Sequence, residues 1–428
     1  MVLLSGGAAI GGAAMALLWR CQKKLSSSEE EGKKMSRLDR VMMPLLPYLG
    51  EVLKAFGNPY GASNEEGVVL LAVAENKLAW SDTLKPRVER ALKEELGDWT
   101  AGYGPMEGQF ETREVMKGFM KKFFKAEVTV DSIFLATGAA ACLTNLFYAI
   151  CDEGDSVMIP VPYYAAFDAD LRAFCDLQRV PCDLEHLERS YDKNCKALLV
   201  TNPHNPTGKV LTTEEMEKII KFCDARKMHL VFDEIYALST FRSREKFRSL
   251  LTFEKNDRHH VIWGLSKDFG MSGMRVGACV TTNPKVQTAL ASLSPFMSVP
   301  GIVQHVIIDI LRDHDWCTSY FQTNDKRLED ACFFVETVFS NLGIPFLRPE
   351  AGMFILVDLS EFLRFFNMSE DALYRHICQN YKVVLTPGES QHCKEAGWFR
   401  ICFAWVKPEV LELAMHRLTT FVRHQRTT

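Results

Sequence analysis

The chain has 428 residues, 47% hydrophobic and 24% charged, with a formal net charge of -4. That length can bury a large core and divide into two domains. The near-balanced charge, with no sustained basic stripe, gives no footprint for nucleic acid and favours small-molecule chemistry.

Residues 2–19 form an uncharged, mostly apolar run, with Arg20, Lys23 and Lys24 behind it. About eighteen such residues just reach a bilayer span, and positive charges on that flank would keep the rest of the chain cytoplasmic. A membrane anchor and a disordered leader are both compatible with the run. "SSSEEEGKK" (Ser26 to Lys34) reads as a linker.

Strand-like runs then alternate with amphipathic helices. "SIFLA" (132–136) is followed by Thr137, Gly138 and a helical run to about Cys151, and "DEGD" leads into "SVMIP" (156–160). "KALLV" (196–200), "HLVF" (229–232), "HVIW" (260–263) and "VGACVT" (276–281) continue the series. In "TTEEMEKIIKFCDARK", Met216, Ile219, Ile220 and Cys223 recur at helical spacing, and Thr212 with Glu215 can form a capping box. The alternation predicts an α/β fold, a mainly parallel sheet covered by helices, with ligands at the carboxyl ends of the strands.

The residues at those ends share one chemistry. Gly138, Ala139 and Ala140 open a helix straight after a strand, which leaves free backbone N–H groups for an anion. "PVPYYAAFD" supplies adjacent rings at Tyr163 and Tyr164, "TNPHNPTG" an amide at Asn205, and "DEIY" an acid at Asp233 and a phenol at Tyr236. "GLSKDFGMSGMR" places Lys267 at the mouth of the sheet and Arg275 eight residues on. One ligand answers all of these. A phosphate suits the helix terminus and Arg275, a pyridine nitrogen Asp233, a phenolic oxygen Asn205 and Tyr236, a flat ring Tyr163 or Tyr164, and an aldehyde Lys267: pyridoxal 5'-phosphate.

Thirteen cysteines without a CxxC pair argue against a disulfide framework and against a metal site, and reduced thiols point to the cytoplasm. The doublet His259–His260 reads as a solvated loop.

In order, "YG", "TGAAA", "PYYAAFD", "TNPHNPTG", "DEIY", "SKDFGMSGMRVG" and "GWFRICFA" resemble the class I/II aminotransferase family of fold type I pyridoxal-phosphate enzymes, over roughly residues 60–420. "AENKL", "PYYAAFD", "DEIY", "SKDFGMSGMRVG" and "GWFRICFA" are similar to 1-aminocyclopropane-1-carboxylate synthases, and "SKDFGMSGMR" with "LRDHDW" most resembles the animal synthase-like branch.

The resemblance implies a large domain over 95–325 with a seven-stranded sheet, and a smaller α+β domain from 36–94 with 326–428. It implies that Lys267 bonds the cofactor covalently and moves the Cα proton, that Asp233 keeps the ring nitrogen protonated, and that Asn205 and Tyr236 bond the ring oxygen. Tyr164 would stack on the ring. Gly138, Ala139, Ala140, Ser266 and Arg275 would hold the phosphate, joined by Tyr103 from a second copy in a homodimer. Arg400 would grip the substrate carboxylate, with Glu75 near the substrate.

Two positions depart from the family. Gly264 stands where a serine is usual, and Ala140 where the plant synthases have a hydroxyl, so two side-chain bonds to the phosphate are expected to be missing. The reaction stays open among elimination or deamination of an amino acid, transamination, cyclisation of S-adenosylmethionine, and a degenerate member kept for binding.

Overall fold

The computed structural model describes residue 46 and residues 48–427; the apolar run at 2–19 and the linker lie outside them. No helix among the described residues is long and apolar enough to cross a membrane. The described residues divide into two compact units, one of those up to Ala74 with Ala331–Arg348 and those from Phe354 on, the other of Glu75–Asp330 with Pro349–Met353.

The larger unit is built on seven strands: β1 Ile133–Ala136, β2 Ser156–Pro160, β3 Gln178–Cys182, β4 Cys195–Thr201, β5 His229–Asp233, β6 His259–Gly264 and β7 Gly277–Thr281. Their order is β1-β7-β6-β5-β4-β2-β3. Only β7 runs antiparallel to its neighbours. The strands read as unbroken apolar runs because both faces are covered. Leu198, Val200, Leu230, Phe232, Val261 and Trp263 pack into one core. The intervening Ala197, Leu199, Val231 and Ile262 pack into a second core on the opposite face, as the two-residue period of a strand requires.

Four helices set the ends of these strands: α1 Ala139–Ile150, α2 Phe167–Ala173, α3 Thr213–Arg226 and α4 Leu265–Asp268. The capping box of α3 is present. Thr212 Oγ1 accepts from Glu215 N at 3.2 Å and Glu215 Oε2 accepts from Thr212 N at 2.8 Å.

The histidine doublet corrects the loop reading, because it lies inside β6. His260 is fully buried, with Nδ1 2.9 Å from Thr281 Oγ1 and Nε2 2.9 Å from His229 Nδ1. These two bonds satisfy the imidazole in the core, where burial holds its pKa well below the usual histidine value.

The smaller unit contains β8 Phe346–Leu347, β9 Phe354–Asp358, β10 Thr386–Pro387 and β11 Trp398–Cys402, antiparallel in the order β10-β11-β9-β8. Val69–Leu70 pairs in parallel with Val383–Val384. At the start of α5 (Glu370–Tyr381), the buried Glu370 carboxylate accepts from the backbone N–H of Glu389 at 2.7 Å and of Gly397 at 2.6 Å. It thereby pins the loop that leads into β11.

Candidate functional site

One end of the seven-stranded sheet gathers the chemistry. The carboxyl ends of β1, β2, β4, β5 and β6 lie together there, and because β7 is reversed its amino end joins them, bringing Arg275. A cavity of about 180 Å³ opens at this edge, lined by Ala139, Ala140, Tyr164, Asn205, Asp233, Tyr236, Ser266, Lys267 and Arg275. These nine sequence-predicted residues are thus brought to one place.

Each is positioned by its element. Gly138 caps α1 with φ 100°, a backbone that favours glycine. A Cβ there would also collide with Nη2 of Arg275. Arg275, itself left-handed at φ 53°, donates from Nη1 to the carbonyl of Ser272 at 3.1 Å and from Nη2 to that of Thr137 at 3.2 Å. Those bonds hold its guanidinium against the start of α1, so two sources of positive potential meet.

Asp233 ends β5 and is buried. Burial pushes its carboxyl up to about 7; the Ile235 N–H, 3.3 Å from Oδ1, works against that, Asp170 adds to it and Lys267 offsets it. Asn205 and Tyr236 are buried and line the same cavity. Tyr164 is the exposed member of its pair and meets Phe167 edge-on, with centroids 5.4 Å apart. Tyr163 turns into the core, where its hydroxyl donates to Asp168 at 2.9 Å. The choice between the two rings is thereby resolved in favour of Tyr164 as the cavity-lining one.

Lys267 sits on α4, and its neighbour Asp268 fastens that turn. The fully buried Asp268 carboxylate accepts from Leu238 N at 3.1 Å, Ser239 Oγ at 2.8 Å and Trp263 Nε1 at 2.9 Å. Its own carbonyl accepts from Tyr320 at 3.0 Å. The lysine turn and the loop carrying Tyr236 are therefore tied through one acid, which the sequence reading passed over.

Other residues of the cavity were also missed, among them Thr201, Asp170 and Ser272. Ser272 was legible in "GMSGMR" and Asp170 in "FDAD", but neither spacing reveals a direction. Ser272 Oγ donates to Glu75 Oε1, and Glu75 also lies 3.8 Å from Lys77 Nζ. Glu75 is therefore linked to a residue of the cavity wall without lining the cavity. Tyr103 is outside it, with its side chain 100% exposed.

Gly264 is more than an omitted donor. It ends β6 opposite Gly277, and a Cβ there would stand 2.5 Å from the carbonyl oxygen of Val276. A Cβ on Gly277 would in turn stand 2.5 Å from Gly138 C. The strand ends have closed onto each other and onto the start of α1, leaving no room for the serine.

In the smaller unit, Arg400 on β11 is buried, with Nη2 donating to the carbonyl of Ala72 at 2.7 Å and to Thr386 Oγ1 at 3.2 Å. Its guanidinium lies 5.3 Å from the centre of the Phe354 ring. Burial raises the pKa of the Tyr48 phenol, and Arg400 lowers it again.

Residues 66–418 match the family described as aminotransferase class I and II. A mouse protein, 1-aminocyclopropane-1-carboxylate synthase-like protein 1, is 34% identical over 391 residues, 85% of this chain and 77% of that protein. Arabidopsis thaliana 1-aminocyclopropane-1-carboxylate synthase 11 is 32% identical over 399 residues, 85% of this chain and 86% of the other. The solved aspartate aminotransferase of Thermotoga maritima superposes with a TM-score of 0.76 at 23% identity, covering 91% of this chain and all of its own. The chain belongs to the class I and II aminotransferase family, with the fold type I architecture, and the cofactor of that family is pyridoxal 5'-phosphate.

Proposed function

We propose that this class I/II aminotransferase family member removes the Cα proton of a small neutral amino acid and completes an elimination or deamination, with some capacity for transamination. The observation that carries this reading is the single cavity holding Lys267, Asp233, Asn205, Tyr236 and Arg275. Those residues fit pyridoxal phosphate. The Arg275 guanidinium and the open N–H groups of α1 suit a phosphate, and the buried Asp233 carboxyl, raised to about 7, lacks a strong donor that a ring N–H would supply.

In this reading Lys267 holds the cofactor's aldehyde carbon and, once freed, moves the proton at substrate Cα. Asp233 holds a proton at the ring nitrogen, Asn205 and Tyr236 hold the ring oxygen, and Tyr164 covers a ring face. Gly138, Ala139, Ala140, Ser266 and Arg275 hold the phosphate. The bound cofactor supplies an electron sink for the bond that breaks at Cα. Arg400 takes the α-carboxylate through its two-pronged guanidinium, which orients the Cα–H bond, and Glu75 acts near the substrate.

The exposed Tyr103 supports a homodimer in which that ring serves the neighbouring site, with Leu96, Phe110 and Phe296 as further exposed apolar side chains of the same unit. The free thiols among the described residues support a cytoplasmic catalytic domain.

Incubation of the cofactor-loaded protein with single amino acids and no keto acid tests the reaction. Keto acid formed once per site marks transamination, and keto acid accumulating over many turnovers marks elimination or deamination. Failure of every amino acid to change the spectrum or yield a product would refute the reading. The 32% identity to a named synthase favours one second reading, cyclisation of S-adenosylmethionine, for which formation of 1-aminocyclopropane-1-carboxylate is the diagnostic, since elimination would release methylthioadenosine as well.

A further inference from the structure

We propose that Asp170 is a second carboxylate of this cavity, a positioning residue that acts through Asp233 to keep the ring nitrogen of the cofactor protonated. The inference rests on the cofactor reading above.

Asp170 lies on α2 three residues after Phe167, hence on the same helix face, and both line the cavity. Its helix neighbour Asp168 is fully engaged, accepting from Tyr163 at 2.9 Å and pairing with Arg179 Nη1 at 3.2 Å. Asp170 has no such arrangement: among the described residues nothing donates to its carboxyl and no cation pairs with it. Burial alone pushes its pKa up to about 6. Asp170 is half-buried, so a ligand that filled the cavity would strip water from its carboxyl and would have to replace or neutralise it.

The charged and titratable groups that share the cavity with it are Tyr164, Asp233, Tyr236, Lys267 and Arg275. Of these, Asp233 senses Asp170 directly, since Asp170 raises the Asp233 carboxyl further while Lys267 lowers it. Two carboxyls in one low-dielectric cavity repel each other when both are ionised, which favours a proton on the pair. A ring nitrogen presented to Asp233 is the group that can take that proton. Its positive charge then lies before two negative ones, and the second carboxylate strengthens the hold on the proton without contacting the ring.

The test uses the full chain loaded with pyridoxal phosphate carrying ¹⁵N in the ring. The nitrogen chemical shift is followed against pH in the natural protein, in Asp170→Asn and in Asp170→Glu. The expected result is a deprotonation midpoint about one pH unit lower in Asp170→Asn and restored in Asp170→Glu. A midpoint unmoved in Asp170→Asn with the cofactor still bound would overturn the inference. Absence of any bound ¹⁵N signal in the natural protein would instead remove the cofactor reading beneath it.

If Asp170→Asn does not fold, the same ¹⁵N titration of Asp170→Ser decides the matter: a midpoint about one pH unit lower supports the proposal, and an unmoved midpoint contradicts it.

Discussion

The guanidinium of Arg275 occupies the space that a side chain on Gly138 would need. One residue caps the first helix after β1, the other precedes β7, and their packing brings a cationic fork to a helix start. Gly138→Ala must displace that fork and also strain a φ of 100°. Cofactor affinity is expected to fall roughly tenfold or more, because a charge-assisted bond is worth about 1.5–3 kcal/mol. A fluorescence titration that finds unchanged affinity would count against the phosphate assignment.

Restoring the family's serine at Gly264 is expected to harm the protein. The new Cβ would press on the Val276 carbonyl, and overpacking of this kind costs typically about 1–3 kcal/mol. Thermal melting of Gly264→Ser should show a lower midpoint and no gain in cofactor affinity. Tighter binding at an unchanged midpoint would mean that the strand ends accommodate the hydroxyl.

Asp268 makes stability depend on pH. Burial raises its carboxyl to about 7, above the roughly 3.9 of an unfolded aspartate, so between these values the folded chain holds a proton that the unfolded chain releases. The contribution is full below about pH 4 and is lost as pH rises toward 7. Asp268→Asn removes this titration, and the slope of unfolding free energy across that window should flatten by up to about 1.4 kcal/mol per pH unit. Urea unfolding at a series of pH values reads it, and identical slopes would place the proton elsewhere.

Arg400→Lys keeps the charge and loses the fork. Amino-acid binding is expected to weaken by roughly 10- to 100-fold while the spectrum of the bound cofactor stays as it was. Equal amino-acid affinities in the two proteins would separate Arg400 from the carboxylate.

Much of this was legible in the chain. The apolar runs SVMIP and HLVF became β2 and β5 with little shift in their ends, because strands buried on both faces must be apolar throughout. Thr212 and Glu215 announced α3 through a local exchange of hydrogen bonds. Most cavity residues at strand ends were found from their chemistry, whereas Ser266, and Tyr164 over Tyr163, came only from the family resemblance.

The rest depended on contacts distant in sequence. Nothing near Asp268 tells that Leu238, Ser239 and Trp263 converge on it. The burial of His260 depends on His229 and Thr281, on two other strands, so the doublet looked like a solvated loop. Strand β3, Gln178–Cys182, carries a charge and a proline on a sheet edge and has no apolar run to reveal it.

The central claim is that Lys267 bonds the cofactor. The most direct measurement is borohydride reduction of the protein loaded with pyridoxal phosphate, followed by mass spectrometry of its peptides, alongside the visible spectrum of the natural protein and of Lys267→Ala. The account predicts a visible band in the natural protein, its absence in the variant, and a reduced phosphopyridoxyl group on Lys267 alone. No band, or a label spread over other lysines with Lys267 unmodified, would contradict it and leave a chain that keeps the fold without the chemistry.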